Sequence, residues 1–79
     1  MKRRFVNAIK TGENITRLMR LNKVKVFDIQ MAMRMSNTTS IYNWKCGNRV
    51  PSIDSLLCLA DLFHCSIEDI IVTEESDDE

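Results

Sequence analysis

Residues 26–51 read VFDIQMAMRMSNTTSIYNWKCGNRVP and decide how the chain is put together. Val26, Ile29, Gln30 and Met33 fall at i, i+3, i+4 and i+7, one face of a short helix over 26 to about 33. Arg34, Met35, Ser36 and Asn37 interrupt that period with a tight turn. A second short helix follows, from 37 or 38 to 45 or 46, and Gly47 ends it, because glycine accepts the positive φ of a residue just past a helix. At 100° per residue Ile41 and Trp44 point one way, toward a core. Thr39, Tyr42, Asn43 and Cys46 point the other way, as a polar, hydrogen-bonding face with no need of burial.

The flanks read as scaffold for these two segments. Thr11 is a suitable N-cap for a helix over 11 to about 22, with Asn14 able to return a hydrogen bond as in a capping box. Ile15, Leu18 and Met19 make its buried stripe. Ser52 caps a fourth helix on which Ile53, Leu56, Leu57, Leu59, Ala60 and Phe63 cover more than one side, which predicts a central packing element. Ser66 and Asp69 form the capping box of a short fifth helix that buries Ile67, Ile70 and Ile71. The expected architecture is therefore all-α, with five helices.

Seventy-nine residues suit one domain with a modest core and little room for a deep catalytic cleft. Two Gly and one Pro favour helices over a turn-rich β fold. The formal charge is zero, but it is unevenly spread. Residues 1–67 hold all eleven Lys and Arg and only four acids, a net +7, while the other seven acids lie at 68–79. A basic body with an acidic tail suggests a polyanionic partner for the body. The organisation expected is a basic arm over 1–10, a helical domain over 11–72 and a disordered acidic tail over 73–79. The arm's Phe5 or Ile9 is expected to tuck onto the core; direct contact of Lys2, Arg3 and Arg4 with phosphates is the alternative.

No signal for secretion or membrane insertion is read at the N-terminus, so the expected compartment is the cytoplasm, with Cys46, Cys58 and Cys65 as reduced thiols. Cys58, His64 and Cys65 are ligand types without the spacing of a zinc site, and neither a metal nor a cofactor is expected. With one His and no Gly-rich phosphate loop, nothing points to an enzyme.

The order and spacing of these pieces resemble the lambda-repressor-like helix-turn-helix domains of the Cro and Xre group of bacterial and phage regulators. The resemblance is carried by Thr11-Gly12-Glu13-Asn14-Ile15, Asp28-Ile29-Gln30, Ile41-Tyr42-Asn43-Trp44 and Gly47. It continues through Pro51-Ser52-Ile53-Asp54-Ser55-Leu56, Leu59-Ala60 and Ser66-Ile67-Glu68-Asp69-Ile70-Ile71, so that residues 11–72 are covered. A branch with an Ile-Tyr-x-Trp recognition helix looks similar and shares the longer turn. Three features depart from the broad pattern. Gln30 stands where a small Ala is usual, Arg34 replaces the turn Gly, and the distance from Gln30 to Gly47 is one residue longer. Met19 and Lys45 also replace an Arg and a Glu that pair in many members, so that ion pair is absent.

The resemblance implies a sequence-specific DNA-binding regulator, a repressor, that lays its third helix in the major groove. Thr38, Thr39, Tyr42 and Asn43 are the candidates for reading bases, Asn43 by a bidentate contact to adenine. Lys23, Lys25, Arg34, Asn37, Lys45 and Arg49 are the candidates for phosphates. The implied partners are double-stranded DNA and a second copy, as a weak homodimer on palindromic sites. The alternative is a protein-interaction module on the same scaffold, such as an antitoxin-like partner-binding protein. Phe27 and Met31, which lie off the buried stripe, favour that alternative.

Overall fold

The computed structural model describes residues 2–77 as five helices closed by a two-stranded antiparallel sheet. The order is β1 (Lys2–Val6), α1 (Ala8–Asn22), α2 (Val26–Ala32), α3 (Thr39–Cys46), α4 (Ile53–Phe63), α5 (Ile67–Ile70) and β2 (Thr73–Asp77). The fold is therefore α+β and not all-α. All five expected helices are present, with shifts at some of their ends, but the arm and the tail, expected as irregular ends, pair with each other. Met1, Asp78 and Glu79, the outermost residues of that arm and tail, lie outside the described residues. Among the described residues, no helix is long and apolar enough to cross a membrane.

The core takes one stripe from each helix. Ile15, Leu18 and Met19 of α1 meet Ile29 of α2, Ile41 and Trp44 of α3, Leu56, Leu59, Ala60 and Phe63 of α4, and Ile70 of α5. Each of the larger side chains contributes roughly 1.5–3 kcal/mol through the apolar area it removes from water. The fourth helix is less central than its composition suggests. Ile53 and Leu57, four residues apart, stay on its outer side, 68% and 53% exposed.

The first helix begins earlier than Thr11. Asn7 caps it, its Oδ1 accepting the Lys10 N–H at 2.9 Å, and Thr11 already donates its own N–H to the Asn7 carbonyl. Thr11 and Asn14 are freed from capping and tie down the other end of the chain. The buried Thr11 Oγ1 accepts the Val72 N–H at 2.9 Å, and Asn14 Nδ2 donates to the Asp69 and Ile70 carbonyls, each at 2.8 Å. The Asn7 N–H also donates to the Val72 carbonyl, 2.8 Å away. With the chain after α5 laid along the start of α1, the flanking segments meet in register, Lys2 opposite Asp77 and Val6 opposite Thr73.

Gly12 sets the packing of α1 on α3. A Cβ built there would lie 2.3 Å from the Trp44 carbonyl oxygen and 2.7 Å from that of Lys45. Only a hydrogen in place of a methyl lets the first helix sit this close to the end of the third. The Ser66–Asp69 capping box forms as expected: the Ser66 N–H donates to Asp69 Oδ2 at 3.1 Å and the Asp69 N–H to Ser66 Oγ at 3.3 Å.

Candidate nucleic-acid interface

The turn between α2 and α3 is built around Arg34 and Gln30. Arg34 adopts φ 54°, the left-handed conformation for which glycine is the usual residue. The half-buried Gln30 spans the turn, since its carbonyl accepts the Met35 N–H at 3.0 Å and its side-chain Nε2 donates to the Met35 carbonyl at 3.3 Å. Glutamine at this position thus supplies a local fastener to the longer turn, which an alanine has no atoms to make.

Beyond the turn, Asn37 braces the start of α3 from just outside it. Its Oδ1 accepts the Thr39 N–H at 3.0 Å, while Thr38, the residue at the cap position, makes no side-chain cap. Asn37 therefore has a structural task, with its Nδ2 left over for other contacts. Ile41 and Trp44 are buried, and they fix the rotation of the helix about its axis. As a result Thr39, Tyr42 and Cys46 are exposed, and Asn43 and Thr38 are half-buried.

Two contacts on this face are not read from the sequence. Lys45 Nζ stands 5.4 Å from the Tyr42 ring centroid, close enough for a cation–π contact. The pair is three residues apart on one helix, a spacing that brings side chains together and offers a signal for it. The second contact holds Asn43. Asn48 Nδ2 lies 3.5 Å from Asn43 Oδ1, and the Asn43 carbonyl accepts the N–H groups of Asn48 and Arg49 at 2.9 and 3.3 Å. The loop past Gly47 thereby turns back on the helix and orients the Asn43 amide. Asn48 is a positioning residue for that face, and its link crosses a chain reversal that no helical periodicity reports.

The other candidate cations sit at the ends of elements. Lys23 closes α1 in a left-handed conformation, φ 56°, Lys25 precedes α2, and Arg49 follows α3; all three are exposed. The α3 polar face and the element ends beside it carry Thr38, Thr39, Tyr42, Asn43, Asn37, Lys45, Arg34 and Arg49, with side chains able to donate to base edges or phosphates.

No protein-family model, curated protein or solved structure matches the chain.

A shallow cleft of about 260 Å³ lies elsewhere, between the end of α2 and α4, lined by Ala32, Met33, Asp54, Ser55 and Cys58. Cys58 is half-buried there, less enclosed than an apolar helix face predicts. Cys46 is exposed, and Cys65 is half-buried, its thiol pushed up in pKa first by burial and then by the charge of Asp69. Among the described residues no three His, Cys, Asp or Glu side chains gather as a metal site.

Proposed function

We propose that the chain is a sequence-specific DNA-binding transcriptional regulator, acting in the cytoplasm, whose third helix reads the major groove. One observation carries this reading: Ile41 and Trp44 lock α3 so that its polar side, Thr39, Tyr42 and Asn43, faces outward on a helix next to a tight turn. Apart from the Tyr42 ring this face is polar, and its amide and hydroxyl groups suit base edges, which offer fixed donors and acceptors. Regulation would be steric, because a repressor seated on its operator excludes polymerase. Half-sites one helical turn apart would bring two copies together as a weak dimer that DNA strengthens.

Selection of bound duplexes from a random pool tests it, with the double variant Thr39→Ala, Asn43→Ala run in parallel. An enriched motif that is lost or relaxed in the variant supports readout by α3. Absence of enrichment, or enrichment indifferent to the substitutions, sinks it.

A second reading rests on α2. Phe27 and Met31, one turn apart, are 64% and 61% exposed, a small apolar patch suited to a protein partner. The two readings differ in salt response: phosphate contacts weaken steeply as salt rises, while an apolar contact does not.

A further inference from the structure

The two-stranded sheet has an unusual charge arrangement. β1 carries Lys2, Arg3 and Arg4, and β2 carries Glu74, Glu75 and Asp77. The register sets Lys2 opposite Asp77 and Arg4 opposite Glu75 on one face of the ribbon. Lys2 Nζ lies 3.9 Å from Glu75, and Arg4 donates to Thr73 Oγ1 at 3.3 Å. At the base of the ribbon Glu74 takes Lys10 Nζ at 3.1 Å and Asn7 Nδ2 at 2.9 Å. These contacts hold the Glu74 carboxyl below its ordinary pKa, chiefly through Lys10.

The ribbon stands largely in solvent. All five residues of β1 are exposed, and so are Glu75, Ser76 and Asp77 of β2. Two strands with both faces in water are marginal by themselves, and ion pairs in solvent are weak and screened by salt. Its position is what makes it of interest. A Cβ on Gly47, the residue that ends α3, would lie 2.6 Å from Ile9 Cα, so the first turn of α1 abuts the end of the third helix. β1 leads into that turn, and at about 3.4 Å per residue it reaches roughly 17 Å away from it. Lys10, next to Ile9 in the chain, therefore stands near the end of the proposed reading helix, and Lys2 and Arg4 extend outward from there.

We propose that β1 and the adjoining Lys10 are a latent DNA-phosphate contact and that β2 is their built-in competitor, its carboxylates and the Thr73 hydroxyl holding the cations that phosphates would otherwise take. The inference rests on the DNA-binding reading above. Released from β2, Lys2, Arg4 and Lys10 add three phosphate contacts to those of the helical body. The acidic strand then limits binding to duplexes in general and leaves selection to α3. Its removal spares the core, since every core side chain lies between residues 15 and 70, and Val72, the anchor on Thr11, precedes β2.

The test compares three chains: the full chain, one ending at Val72, and the full-length variant Glu74→Gln, Glu75→Gln, Asp77→Asn. Affinity for a selected duplex and for a random duplex is measured from about 50 to about 200 mM salt, where each added phosphate contact steepens the logarithmic slope by about 0.9. Three contacts widen the affinity ratio across that interval by about 40-fold. The expected result is tighter binding to both duplexes at low salt by both altered chains, with the full three-contact steepening in the truncated chain and about two contacts' worth in the charge-neutral chain, where Thr73 still holds Arg4. Far-UV circular dichroism of each chain confirms that the helices persist.

Equal slopes in the three chains overturn the proposal while leaving DNA binding intact. So does weaker binding by the truncated chain together with loss of a dimer that the full chain forms in sedimentation, which makes the ribbon a self-association surface. Failure of all three chains to bind either duplex removes the DNA-binding reading itself, and this inference with it.

Discussion

Thr11 Oγ1 accepts a hydrogen bond from the Val72 N–H, 2.9 Å away and 61 residues on in the chain. Thr11 is 1% exposed, so water does not replace it when it is lost. This contact ties the chain after α5 to α1 and sets the starting point of the ribbon. Thr11→Val keeps the shape and deletes the acceptor. The expected cost is about 1–2 kcal/mol, for a partly buried N–H left without a partner. In a domain of this size that is a fall in Tm of roughly 4–16 °C, read by thermal denaturation. Thr11→Ser restores the hydroxyl and is expected to recover most of the loss. Equal Tm for the Val and Ser variants would show the bond to be dispensable.

Gly12→Ala offers a sharper contrast between local and tertiary effects. In an isolated helix the change stabilises by about 1 kcal/mol. Here the new methyl meets two backbone carbonyls at 2.3 and 2.7 Å, and backbone cannot rotate away as a side chain can. Overpacking costs about 1–3 kcal/mol, and rigid neighbours place this site at the upper end. The expected net is a destabilisation of about 2 kcal/mol in urea unfolding. A rise in stability would mean that α1 and α3 separate more easily than their packing suggests.

The division between what the sequence discloses and what it hides follows the range of each interaction. The Ile41–Trp44 phase, the Ser52 cap and the Ser66–Asp69 box are all settled within four residues, and all stand as read. Thr11 and Asn14 look like a capping box to any local rule, because both residue types cap well. Their actual partners, Val72 and the Asp69 and Ile70 carbonyls, lie more than fifty residues away. The sheet is hidden for the same reason. The segment TEESD has poor strand propensity alone and extends only because the α1 clamp delivers it beside a basic strand. On the candidate face, Thr39, Tyr42 and Asn43 are legible from helical phase, whereas the Asn43–Asn48 contact depends on the reversal at Gly47.

Two carboxylates make stability depend on pH. Asp69 is lowered from the ordinary 3.8, first by the Ser66 N–H and then by the Ser66 hydroxyl. Glu74 is lowered from 4.5, first by Lys10 and then by Asn7. A depressed folded-state pKa stabilises the fold above the unfolded value, and this contribution is lost as pH falls through the folded one. Stability therefore holds above about 4.5 and declines below it as these two carboxylates take up protons. Tm measured from about pH 6 to about pH 2 is expected to fall less steeply in Asp69→Asn and Glu74→Gln than in the parent chain. Parallel curves for all three would show that neither carboxylate contributes.

Arg34 separates the demands of the fold from those of the proposed function. At φ 54° a residue with a Cβ bears a penalty of roughly 1–2 kcal/mol that glycine avoids. Glycine also brings a more disordered unfolded chain, which offsets roughly 0.5–1 kcal/mol of that gain. Arg34→Gly is accordingly expected to leave stability unchanged or raise it by up to about 1.5 kcal/mol. If the guanidinium meets a phosphate, the same variant binds DNA more weakly on every sequence. Its logarithmic salt slope also becomes shallower by about one. Arg34→Lys, which keeps the cation and the strain, should retain the slope. A gain in stability with DNA affinity untouched would leave the left-handed arginine without a role at the interface.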